Sequence, residues 1–177
     1  MFGSVPQIFT TSRAEAAVFR FPRLFYPLVA VAALAAQAYL PVVLHAAVYL
    51  DLPLLVVVYW ACATRRPISA STLGAALGLA QDSLAHLALG VNGIAKTLIG
   101  YWGASFGSKI DADHAGMRML IVFAAYELNR AILFGFERFL LGTPVPWRGG
   151  VTALAALVNA ALAVVLFRGM DRFRRWV

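Results

Sequence analysis

Six apolar stretches, divided by short polar or glycine- and proline-bearing links, make up most of the sequence: residues 24–44, 48–63, 70–89, 92–108, 117–141 and 150–167. A helix rises about 1.5 Å per residue and hydrocarbon is about 30 Å thick, so roughly 20 apolar residues cross it. The pattern predicts an all-α bundle of six transmembrane helices. The start of the second stretch is blurred by Asp51 and Pro53. Between the third and fourth, Leu89-Gly90-Val91-Asn92-Gly93 predicts a tight outer turn, because Gly90, Asn92 and Gly93 tolerate positive φ. Those two spans should be antiparallel neighbours.

Composition sharpens the solvent. Of 177 residues, 62% are apolar and 13% charged, beyond what a soluble domain of this size can bury. A soluble enzyme, a nucleic-acid-binding domain and a disordered regulator are thereby disfavoured. The net charge of +7 first reports orientation. With six spans, 11 of the 15 lysines and arginines fall on one side, and only Arg138 and Arg148 on the other. The positive-inside rule then puts both termini in the cytoplasm. Residues 1–23 read as a cytoplasmic segment, where Ser12 and Glu15 have the spacing of a helix-capping box and predict a short interfacial helix, with a frayed tail as the alternative. Residues 24–168 form the membrane domain. Residues 169–177 form a basic tail whose Arg172, Arg174, Arg175 and Trp176 suit anionic lipid. A single cysteine, Cys62, excludes an internal disulfide.

The exceptions to apolarity are the candidate site. Ionisable groups at mid-membrane cost roughly 2.5–3.5 kcal/mol on insertion scales, so each requires a partner or a cavity. Asp82, Lys96, Glu127 and Arg130 are such groups, and their charges cancel. Depths reckoned from the helical rise predict Asp82–Lys96 and Glu127–Arg130 pairs, with His86 on the same helix face as Asp82. Two uses are open: ion pairs that fix how the spans assemble, or a polar site for a ligand, proton or partner helix. Ser83 beside Asp82 does not face it on a helix, and no nucleophile elbow, zinc-protease motif or phosphate loop is present. Neither catalysis nor a metal or other cofactor is expected. Gln37 and Asn159 can hydrogen-bond across helices. Gly74, Gly78, Gly100, Gly103 and Gly107 are spaced to let helix backbones approach closely. They serve either packing within the chain or a helix from another protein.

Taken together, Tyr59-Trp60, Arg66-Pro67, Gly74, Gly78-Leu79-Ala80-Gln81-Asp82-Ser83-Leu84, Leu89-Gly90-Val91-Asn92-Gly93 and Tyr101 resemble the bacterial rod shape-determining protein MreD family. The likeness is detailed over residues 59–108 and extends to size, span count and orientation over the whole chain. Lys96 and the first 20 or so residues depart from the commonest family pattern. The resemblance implies a non-catalytic, multi-pass protein of the bacterial inner membrane, in the machinery that inserts peptidoglycan along the side wall. It implies an MreC-like single-span partner, with an MreB filament, a RodA-type glycosyltransferase and a penicillin-binding transpeptidase nearby. The family fold is similar to the S-components of energy-coupling-factor vitamin transporters, so the alternative implied is a small-molecule-binding subunit near Asp82, Lys96 and Arg130. If the glycine-bearing faces dock the partner, leucine at Gly78 or Gly103 weakens partner recovery and leaves insertion intact.

The charge bias makes one direct prediction. A fluorescent protein fused after Val177 should fluoresce and an alkaline phosphatase fused there should be inactive; the reverse result would place the carboxyl terminus outside the cytoplasm.

Overall fold

A computed structural model describes residues 25–85, 88–107, 114–140, 142, 146 and 148–173. Among them are six α-helices and no strand: α1 Phe25–Val43, α2 Leu52–Thr64, α3 Pro67–Leu84, α4 Val91–Gly107, α5 Ala115–Gly135 and α6 Gly149–Asp171. A 3-10 turn, His45–Tyr49, precedes α2, and a π-helical turn, Phe136–Leu140, continues α5. By length and composition, α1, α5 with its π-helical turn, and α6 can each cross a membrane. Residues 1–23 and the tail residues Arg174, Arg175 and Trp176 lie outside the described residues.

Two boundaries differ from the hydropathy pattern, each for a chemical reason. The second apolar stretch is not one helix. Asp51 is the N-cap of α2 and accepts the Leu54 N–H at 3.0 Å, with Pro53 in the first turn. The chain before it turns in a 3-10 segment. At 13 residues, α2 is only about 20 Å long. The third stretch stays helical only to Leu84, although the apolar run continues to Leu89. At its other end α2 stops where Arg65 takes a left-handed backbone (φ 52°), and Pro67 opens α3.

Despite its shortness, α2 is the centre of the bundle: Pro53 through Tyr59 and Ala61 are all buried. Leu54, Leu55, Val58 and Tyr59 share a core with Ile99 of α4, Val122 and Tyr126 of α5, and Phe167 of α6. On α6, Ala156, Ala160 and Ala163 are buried at helical spacing, small enough for a close approach. At one end of the bundle Asp171 of α6 accepts the Tyr59 hydroxyl (3.0 Å) and pairs with Arg118 of α5 (2.7 Å). By contrast, α1 exposes Leu28, Val31, Tyr39, Val42 and Val43, the surface expected of a helix facing lipid.

The closest packing is between α3 and α4. A Cβ placed on Gly74 would collide with the Lys96 carbonyl, one on Gly78 with the Asn92 carbonyl, and one on Gly100 with the Ala70 carbonyl. Gly103 lies against Ala61 (3.2 Å from its would-be Cβ), and Gly107 against the Cys62 backbone (3.5 Å). All five glycines are therefore occupied by contacts inside the chain. Of the two uses expected of them, packing within the chain is the one seen: Gly74, Gly78 and Gly100 press α3 against α4, and Gly103 and Gly107 lie against α2.

It follows that Gly78→Leu should abolish the folded protein rather than selectively release a partner, and Gly78→Ala should cost on the order of 1–3 kcal/mol or more through overpacking. Gly116→Ala, where nothing lies within 4 Å of the added atom, should be tolerated. Thermal unfolding in detergent distinguishes the three; a Gly78→Leu protein as stable as the unmodified chain would contradict the packing described.

Candidate functional site

A helix that begins in a buried place leaves peptide groups that neither water nor lipid can bond. The break before α2 is such a place, and side chains from three other helices close it. Gln37 of α1 bonds in both directions: its Nε2 donates to the Leu50 carbonyl (3.0 Å), and its Oε1 accepts the Leu52 N–H (2.9 Å). Asn159 of α6 does the same one step away. Its Oδ1 accepts the Asp51 N–H (3.0 Å) and its Nδ2 donates to the Tyr49 carbonyl (2.8 Å). The Tyr126 hydroxyl of α5 donates to that carbonyl too, at 2.9 Å.

The Asp51 side chain carries the arrangement inward. While its Oδ1 caps α2, its Oδ2 accepts Lys96 Nζ at 2.8 Å and Asn129 Nδ2 at 3.3 Å. Lys96 is 0% exposed, where an unpaired ammonium would be far more costly than a paired one. Its second partner is Asn92 Oδ1, at 3.2 Å. Asn92 in turn donates through Nδ2 to Asp82 Oδ1 at 2.7 Å. Asp82, also 0% exposed, accepts the backbone N–H groups of Gly90 (2.9 Å), Asn92 (3.1 Å) and Gly93 (3.4 Å). Its carboxylate thus sits on the amino-terminal end of α4, where unbonded N–H groups and the helix dipole favour negative charge. The outer turn is held by this cap, with Gly90 at φ 100°.

The predicted residues separate into different environments. Asp82 and Lys96 share one network, but the expected direct pair is not made. Asn92 stands between them, and the counter-ion of Lys96 is Asp51. Nor does a Glu127–Arg130 ion pair occur among the described residues; Glu127 Oε1 is buried without a hydrogen-bond partner. Arg130 instead lines a cavity of about 480 Å³ beside the network. His86 lies outside the described residues. Among those described, no group of three or more His, Cys, Asp or Glu is placed to hold a metal ion.

Sequence reasoning missed the central role of Asp51. Its signal was present: an aspartate two residues before a proline at the start of an apolar run is a helix-cap signature. The pairing with Lys96, 45 residues away, had no such local trace.

The family model for rod shape-determining protein MreD matches residues 18–173, nearly the whole chain. No curated protein and no solved structure matches the chain.

The network predicts a specific pattern of coupling. Lys96→Ala should destabilise the protein by about 3–5 kcal/mol, since it strands a buried carboxylate. In an Asp51→Asn background the further loss should be much smaller; in an Asp82→Asn background it should stay nearly whole. Denaturant titration of the double-mutant cycles in detergent reads this out, and attenuation by Asp82→Asn alone would restore the simpler pairing.

Proposed function

The chain belongs to the MreD family of rod shape-determining proteins, and from that premise we propose that it is a non-catalytic scaffold of the cell-elongation machinery. It crosses the bacterial inner membrane six times with both termini in the cytoplasm and binds an MreC-like single-span protein. Through that partner it supports peptidoglycan synthesis along the side wall, near a RodA-type glycosyltransferase, a penicillin-binding transpeptidase and an MreB filament. The observation that carries the scaffold reading is the saturation of the network. Asp51, Asp82 and Lys96 spend their hydrogen bonds on helix ends and on one another. They hold the bundle in one packing, which is what a protein that works by presenting a surface requires.

With the glycine faces occupied, the docking surface is the outward side of α4, formed by Ile94, Leu98, Tyr101, Trp102 and Phe106, all exposed. Tyr101 and Trp102 lie ten and eleven residues from the start of α4, about 15–17 Å along it and so near mid-membrane. Tyrosine and tryptophan favour the membrane interface, because their polar tips need water or a partner. At mid-depth the natural company for them is another protein helix, and large aromatics are the usual anchors of such contacts.

Co-purification from native membranes tests this. Trp102→Ala combined with Tyr101→Leu should lower recovery of the MreC-like partner about tenfold or more while membrane insertion is unchanged. Val165→Ala, on the exposed side of α6, should leave recovery intact. Undiminished recovery with the double variant would move the docking face elsewhere.

A further inference from the structure

The cavity beside the network is flanked by α1 and α5, and closed by the residues preceding α2 and the facing ends of α3 and α4. Its volume, about 480 Å³, is that of a small-molecule site. Its chemistry divides in two. Leu34, Pro41, Leu84 and Leu133 contribute apolar wall, whereas Gln81, Asn129 and Arg130 bring polar groups to the same space.

Those polar groups are incompletely used. Asn129 is 1% exposed, and its Nδ2 is committed to Asp51. That bond fixes which end of the amide faces the carboxylate, so Oδ1 is left as an acceptor, and it has no partner. Gln81 Oε1 is likewise a buried acceptor without a partner. Arg130, the cation on the cavity wall, takes part in no ion pair among the described residues. The neighbouring carboxylates do not supply one: Asp51 is bonded to Lys96, Leu54 and Asn129, Asp82 to the start of α4, and neither Glu127 nor Glu137, the carboxylate on the same cavity wall, forms an ion pair with Arg130 among the described residues. The cavity wall therefore carries a guanidinium suited to an oxyanion and, buried in the same wall, two carbonyl oxygens that lack donors, beside an apolar wall.

We propose that this cavity is a binding site for an oxyanion carrying hydroxyl or amine donors, the oxyanion on Arg130 and the donors on Asn129 Oδ1 and Gln81 Oε1. Guanidinium suits phosphate and carboxylate because it presents paired N–H donors in a plane. A glycerophosphate group has both features, a phosphate and a diol. It can come from an anionic lipid whose chains lie along the apolar wall between α1 and α5, or from a soluble phosphate ester. The site depends on neither the partner nor the docking face of α4.

Native mass spectrometry of the full-length protein in detergent tests the site with three probes: dioctanoyl phosphatidylglycerol, glycerol 3-phosphate and dioctanoyl phosphatidylcholine, which has the phosphate but no donor. One of the first two should bind at least about tenfold more tightly than phosphatidylcholine. Preference for the lipid identifies a headgroup site, and preference for glycerol phosphate a soluble ligand. Arg130→Gln should reduce that binding by about tenfold or more, and Gln81→Leu by about fivefold. Val165→Ala should leave it unchanged. Equal binding of all three probes to the unmodified protein would overturn the proposal, whether or not the variants fold. So would unchanged binding in folded Arg130→Gln and Gln81→Leu proteins.

Discussion

The structure depends on one constraint: a helix at the centre of the bundle starts where lipid can bond none of its peptide groups. With 13 residues, α2 falls about 10 Å short of the hydrocarbon thickness. Its start must be met by protein, and Gln37, Tyr126 and Asn159 meet it group by group. Asp51 then caps the helix, and because it is charged it needs a cation at the same depth. Lys96 supplies it at 2.8 Å. Each polar residue is thus explained by the one before it, beginning from a backbone that is not helical.

This order of causes also explains why the network includes every helix. Gln37 comes from α1, Asp51 from the start of α2, Asp82 from α3, Asn92 and Lys96 from α4, Tyr126 and Asn129 from α5, and Asn159 from α6. The break itself is met by α1, α5 and α6, while α4 supplies the counter-ion of Asp51 and α3 joins through Asn92. Without α6, the Asp51 N–H and one bond to the Tyr49 carbonyl are lost; without α1, the Leu50 and Leu52 groups are bare. Since an unmet buried peptide group costs about 1–3 kcal/mol, the bundle gains its polar satisfaction together or not at all. Apolar packing alone would not impose this, because lipid tails solvate leucine as well as a neighbouring helix does.

Much of the fold was legible in the sequence. Hydropathy located the helices, and α1 and α4 begin and end within one residue of the expected limits, because Leu44 and His45 follow one and Gly90 precedes the other. It failed where apolar residues are not helical. The predicted stretch runs on to Leu89, with His86 its one polar member after Leu84, yet α3 stops at Leu84 with Ala85 as its C-cap, since the carboxylate of Asp82 must reach the N–H groups of the next helix. The position of each charge along its helix was legible too, from the rise per residue. Their bearing around each helix was not. Asn92 and Lys96, four apart, share a face of α4, and that face looks to α2 as well as α3. A depth estimate alone pairs Lys96 with the nearest aspartate in sequence, whereas the fold pairs it with Asp51. The cavity was wholly illegible, being the space left between α1 and α5 once every helix is placed.

The distribution of satisfied and unsatisfied groups separates the molecule into two functional parts. Asp51, Lys96, Asn92 and Asp82 have protein partners for their charged or amide groups, so a ligand competing for them would have to replace bonds that hold helix ends. Such a site is poorly suited to reversible binding, because occupancy and unfolding would draw on the same interactions. The groups that can change partners without releasing a helix end lie one step outward, on α3 and α5. Gln81 Oε1 and Asn129 Oδ1 are unbonded acceptors, and Arg130 faces the cavity. Asn129 belongs to both parts, giving its amide nitrogen to Asp51 while its buried oxygen, in the cavity wall, has no partner. Any occupant of that space would meet the rigid frame at the side chains that belong to both, Gln37, Asp51, Asn92, Tyr126 and Asn129, while the outer face of α4 stays on the far side of the close glycine contact with α3.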